Sequence, residues 1–219
     1  MRIRTRTLSA LRRLAFGANY FCMVLIVTLA QPAAAQPAAP GSQAIGYPAI
    51  PATHHAVSRK TVTQDGVLAS LARYERRDRR NVGMGGEHFS VLTSRDGKLL
   101  GFMNISLDLA QKPLPSREMS ERAAKGYLQS VAPDLLKNMR VTSIAPYEKP
   151  LRLADSGNVI QLSGMRVKAR NLTDGSWFWV VVTGNGEPMA FERDVGWSTL
   201  LFRRSSEYWL DDTWLAERG

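Results

Sequence analysis

The stretch WFWVVVTGNGEPMAFER, residues 177–193, decides the fold. From Trp177 to Val182 every residue is apolar, so a strand made from them has no face suited to water and belongs in the middle of a sheet covered on both sides. Thr183, Gly184, Asn185 and Gly186 supply turn chemistry, and Met189, Phe191 and Arg193 then alternate with Ala190 and Glu192 along a returning strand.

Upstream of this hairpin, Ile160 and Leu162 occupy one parity of residues 159–170, while Met165, Val167 and Ala169 occupy the other. A bulge at Ser163-Gly164 would reconcile the two halves. Residues 141–144 read as a strand ending at Pro146, followed by a long loop over 146–158 and, after the 159–170 strand, a turn at 171–175. Before these lies the clearest helix. Ser116 is placed to cap it, Glu118 suits the positive end of its dipole, and Pro133 closes it. Met119, Ala123, Tyr127 and Val131 recur every four residues beside Ala124 and Leu128, a stripe that needs a surface to pack on.

Earlier still, EHFSVLT (87–93) and LLGFMNI (99–105) flank Ser94-Arg95-Asp96-Gly97 as a second hairpin. In both hairpins a phenylalanine, Phe102 or Phe191, stands five residues after the turn glycine, Gly97 or Gly186, which suggests a duplicated unit. Residues 61–63 form a short strand, Asp65-Gly66 a turn, and residues 67–74 a second strand or one or two helical turns. The fold class that follows is α+β: an antiparallel sheet with one main helix packed on it. The C-terminal segment 197–219 carries Trp197, Phe202, Tyr208, Trp209 and Trp214. Ser205 or Ser206 would cap a short helix in it, with Glu207 in the first turn and Leu210 and Trp214 on one face, docking on the domain over residues 59–196.

The chain has 219 residues, 44% of them hydrophobic, enough for a core, and a net charge of +10 that would ordinarily suggest nucleic acid. The charge is unevenly placed. Arg2, Arg4, Arg6, Arg12 and Arg13 precede the apolar run FCMVLIVTLA (21–30) and the small residues Ala33, Ala34 and Ala35, the three-part plan of a secretory signal peptide over 1–35 with cleavage after Ala35. The apolar run is shorter than the roughly 20 residues that a bilayer span needs. Without those five arginines, 24 of the 29 basic residues face 19 acidic ones, a net of +5. The sole cysteine, Cys22, leaves with the signal, so a disulfide framework and a multi-thiolate zinc site are excluded. Residues 36–58, rich in Pro, Ala and Gly, read as a disordered linker, with His54 and His55 solvated in it.

On Ser116, Glu118, Ala123 and Ala124 of the helix, Trp177 to Val182, Gly186-Glu187 and Met189, the segment 116–193 resembles the PepSY and PepSY-like modules of exported bacterial proteins. It departs from them where Thr183 replaces the aspartate that many members carry before the turn, and in the length of the 146–158 loop. The resemblance implies a cystatin-like α+β layer outside the cytoplasm that binds or restrains a partner such as a peptidase. It implies no catalytic residues.

The chemistry-bearing motifs are absent: no H-E-x-x-H, no phosphate-cradling G-x-x-x-x-G-K-[ST], no G-x-S-x-G and no paired cysteines. No catalytic residue, metal or cofactor is therefore assigned. His88, on a strand beside Phe89, reads as a structural histidine, and Asp211, Asp212 and Glu207 as a solvated face, since adjacent aspartates on a helix point about 100° apart. Two sets of candidate binding residues remain. Arg73, Arg76, Arg77, Arg79 and Arg80, interleaved with Glu75 and Asp78 and followed by Gly83, Gly85 and Gly86, form a basic loop that is either plainly solvated or meets an anionic protein or membrane surface. Trp177, Trp179, Trp209 and Trp214 point to a concave groove beside them. The export signal, the interleaved acids and the lack of a recognised motif argue against nucleic acid. The expected function is a periplasmic, non-catalytic module binding a protein or peptide partner of the cell envelope. The alternatives are a small secreted hydrolase built on His88 and the carboxylates near Asp211, and a structural envelope component.

Overall fold

In the computed structural model, residues 48–198, 200–201 and 203–217 are described; the expected signal peptide, its cleavage point at Ala35 and most of the linker lie outside them. Two antiparallel meanders follow one another along the chain. The first is β1 (His54–Gln64), β2 (Val67–Arg76), β3 (His88–Ser94) and β4 (Leu99–Ile105). After α1 (Arg117–Val131) and α2 (Pro133–Lys137) comes the second: β5 (Met139–Arg152), β6 (Val159–Asn171), β7 (Trp177–Val182) and β8 (Pro188–Val195). Strand β8 returns beside β4, giving one eight-stranded sheet of order β1-β2-β3-β4-β8-β7-β6-β5. The short strands β9 (Trp197–Ser198) and β10 (Arg203–Arg204) pair with each other, and α3 (Asp212–Ala216) follows. The protein is thus α+β, a large antiparallel sheet with few helices.

Local chemistry accounts for the hairpins. Asp65 and Gly66 both take positive φ, 49° and 80°, the geometry that a two-residue turn needs to match the strand twist. The two hairpins that rhyme in sequence meet in space: β4 pairs with β8, and Phe102 lies directly opposite Phe191. Both rings sit on one face with Phe89, Phe178 and Val180, under Ala124 and Leu128 of α1 and Leu135 of α2. The opposite face holds Leu71, Ile105, Leu151, Leu162, Val181 and Met189, packed with Leu210 of the C-terminal segment.

These two cores correct the sequence reading of β6. Ile160 and Leu162 belong to the second core and Met165, Val167 and Ala169 to the first, so the change of parity reports two covered faces. The β5–β6 ladder runs through Ser163-Gly164 without a shift, and the β6–β7 ladder starts only at Met165, so no bulge is present there. Strand β5 likewise continues through Pro146 and Pro150 to Arg152, which replaces the expected long loop. It pairs only with β6, and an edge strand tolerates proline because an N–H facing away from the ladder is not missed. Residues 67–76 are a strand, and β2 carries the hairpin back until His54 pairs with Arg76. Order therefore begins before residue 59, and His54 is 6% exposed where solvation was expected.

Ser116 does cap α1, its hydroxyl accepting from Met119 N at 3.1 Å. Ala124 and Leu128 of the expected stripe are fully buried and Ala123, Tyr127 and Val131 pack beside them at the margin of the core, while Ser120, rather than Met119, completes the buried line. Ser120 can be buried there because its hydroxyl donates back to Ser116 O at 2.7 Å. The C-terminal helix starts later than expected: Asp211, rather than Ser205 or Ser206, caps it by accepting from Thr213 N and Trp214 N.

Candidate functional site

The second face of the sheet carries a hollow of about 280 Å³ lined by Tyr147, Arg166, Lys168, Trp179, Trp197, Arg204 and Tyr208 among others. Strand pairing builds its floor. One cross-strand row runs Lys168, Trp179, Glu192, Gly101 and the next runs Arg166, Val181, Ala190, Met103. The small residues leave room: a Cβ on Gly101 would stand 2.8 Å from Leu210 Cδ1, so the glycine admits the C-terminal segment to the sheet.

Arg204 fixes the roof. Its guanidinium donates to both Glu192 oxygens at 3.0 Å, bonds the carbonyls of Ser206 and Glu207, and lies 5.6 Å from the Trp179 ring centre and 4.2 Å from that of Tyr208. Lys168 Nζ sits between two indoles, 4.3 Å from Trp177 and 4.4 Å from Trp197, and Arg166 lies 5.8 Å from the Tyr147 ring. Burial lowers the Lys168 pKa, and the neighbouring Arg166 charge lowers it further. Burial, then Glu192 and Asp211, push Tyr147 up to about 12.

Of the expected tryptophans, Trp177 and Trp179 share this face. Trp209 and Trp214 pack on each other instead, ring centres 4.6 Å apart, with Trp209 Nε1 donating to Thr63 O at 3.0 Å. Sequence reasoning missed Tyr147, Arg166, Lys168, Glu192, Arg204 and Tyr208. The signal for two of them was there: Arg166 and Lys168, with Arg170, are cations alternating with the buried Met165, Val167 and Ala169.

The arginine run divides. Arg73 and Arg76 are on β2 rather than in a loop. Arg73 is buried, donating to both oxygens of Asp212 at 2.6 and 3.1 Å and to Gly83 O at 3.0 Å. Arg76 pairs with Asp78. Arg80 donates twice to Glu87, a carboxylate with no exposure that also accepts from Leu107 N. Arg77 and Arg79 have no ion-pair partner among the described residues.

Asp212 ties this region together, accepting from Gly85 N at 2.7 Å and lying 3.5 Å from His88 Nδ1. Of the expected solvated face, Asp212 is instead buried in a network, while Asp211 and Glu207 stay partly exposed. Burial opposes ionisation of Asp212, but His88, the Arg73 guanidinium and the Gly85 N–H together hold its carboxyl below the usual range. Asp211 diverges from it and pairs with Lys149 at 2.7 Å. His88 Nδ1 donates to Gly86 O at 2.9 Å, and the ring borders a cavity of about 250 Å³ with Lys149, Arg152 and Thr213. Burial pushes its pKa down to about 4 against the pull of Asp212.

That shift sets a pH dependence. The unfolded chain takes up a proton at this imidazole near pH 6.5, and the folded chain only near 4. Between those values the unfolded state binds more protons, so stability is lost as the pH drops from about 7 towards about 4.5. Urea unfolding at the two pH values measures it. His88→Asn is expected to abolish most of the difference, and an unchanged difference in that variant would show that another group is responsible.

No family model, curated protein or solved structure matches the chain. Among the described residues no helix is long and apolar enough to cross a membrane.

Proposed function

We propose that the chain is an exported, non-catalytic module that binds a protein or peptide partner of the cell envelope through the hollow on its second face, the segment 116–193 forming a PepSY-like, cystatin-like layer and the aromatic C-terminal segment docking over it. The observation that carries this reading is the hollow itself: aromatic walls and guanidinium groups, the residue types enriched where binding energy concentrates, gathered on a rigid sheet. Export is supported by the residue pattern of 1–35. Arg77 and Arg79, without an ion-pair partner among the described residues, offer a second contact for an acidic protein or membrane surface.

Selection of displayed random peptides against the protein tests the reading. A peptide family is expected to be enriched, and Trp179→Ala, which removes the central wall, to weaken its binding by about 30-fold or more. Retention of full affinity by that variant would move the site elsewhere. The competing hydrolase reading rests on the approach of His88 and Asp212, and ester or peptide turnover abolished by His88→Ala would displace the binding module.

A further inference from the structure

We propose that the hollow selects a carboxylate carried on an apolar or aromatic group, with Arg166 and Lys168 as its cationic partners. This names the ligand chemistry of the binding reading above and rests on it.

The argument begins with the charges that line the cavity. Its two acids already have cations: both oxygens of Glu192 accept from Arg204, and Asp211 accepts from Lys149. Among the described residues neither Arg166 nor Lys168 takes part in an ion pair. They stand two apart on β6, hence on the same side of the strand, where like charges repel. The lowered pKa of Lys168 has that repulsion among its causes, after burial. An anion set between the two would relieve it.

Hydrogen bonding points the same way. Arg166 lines the hollow with no side-chain acceptor among the described residues, its Nε included, so the guanidinium still has donors to offer. The rings hold both cations by their faces, which fixes position without occupying N–H groups. A carboxylate supplies two acceptors on one plane and suits a guanidinium beside an ammonium. The walls then set what the carboxylate is attached to. Trp179, Tyr147, Met103 and Leu210 favour an apolar or aromatic group, and about 280 Å³ is room for one residue rather than a long segment. Two sources share this chemistry, the C-terminal residue of a peptide and a free small acid.

Titration calorimetry on the full chain separates them with three probes: a tripeptide ending in phenylalanine as the free acid, the same tripeptide as its C-terminal amide, and N-acetylphenylalanine. The tripeptide acid is expected to bind at least about 10-fold more tightly than the amide, as for a charge-assisted pair. Arg166→Met and Lys168→Met, checked for unchanged thermal unfolding, are expected to erase that preference. N-acetylphenylalanine matching the tripeptide acid assigns a free acid; binding about 10-fold weaker assigns a peptide terminus. Equal binding of acid and amide overturns the carboxylate assignment and leaves the peptide-binding hollow standing, as does a preference that survives both methionine variants. Failure of all three probes, together with no peptide enriched by selection, overturns both.

Discussion

Asp212→Ala is expected to remove about 3–5 kcal/mol of folding stability, the usual consequence of breaking a buried ion pair from one side. The carboxylate takes two hydrogen bonds from Arg73 and one from Gly85 N, and it lies beside His88. Without it, a buried guanidinium on β2 keeps only Glu75 and Gly83 O, and a loop amide loses its acceptor. Against a typical total of about 5–15 kcal/mol, this is a large fraction. The loss should reach the hollow as well, because Asp212 anchors the segment that carries Tyr208 and Leu210. Chemical denaturation measures the effect, with Arg73→Met/Asp212→Leu as the control. An apolar replacement of both partners is expected to recover much of the stability. A single variant within about 1 kcal/mol of wild type would mean that the pair is not desolvated as described.

Phe191→Ala should lose a comparable amount, about 3–5 kcal/mol, for a different reason. The ring has no solvent exposure, faces Phe102 across the β4–β8 ladder and meets Tyr127 of α1 edge-on with centres 5.7 Å apart. Truncation leaves a void where helix and both meanders come together, and a sheet cannot collapse into it without disturbing its ladders. Phe191→Leu retains most of the volume and is expected to lose less than about half as much. Equal losses for the two variants would point to the aromatic contact rather than the void.

Much of the fold was legible because its determinants are local. The Ser116 cap, the turns at Gly97 and Gly186 and the apolar run of β7 each depend on residues within a few positions of one another. The errors arose where a distant partner decides. Nothing within residues 54–58 says that β2 will extend far enough to pair with them. The parity change in β6 looks like a bulge until it is known that α1 covers one face and Leu210 the other. The divergence of Asp211 and Asp212 was expected from helix geometry but arises because Asp211 is the extended cap and Asp212 the first helical residue, and their partners, Lys149 and Arg73, lie far away in the chain. The site divides in the same way. Trp177 and Trp179 announce themselves by size and parity, whereas Arg166, Lys168 and Arg204 acquire meaning only from the cross-strand rows and the roof. The arginine run was visible as charge, but its most buried member, Arg73, serves an aspartate in the last helix.

The ladder between β4 and β8 also has a kinetic meaning. Every other neighbour pair in the sheet joins strands that follow one another along the chain, so each meander can zip from its own turns. The β4–β8 ladder alone brings together segments separated by two helices and three strands. Closing that long loop is an entropic demand the hairpins do not face, and contacts of such high sequence separation are what slow folding. The chain should therefore fold as two halves that form early and one joining event that sets the rate, with Phe102 and Phe191 meeting at the rate-limiting step.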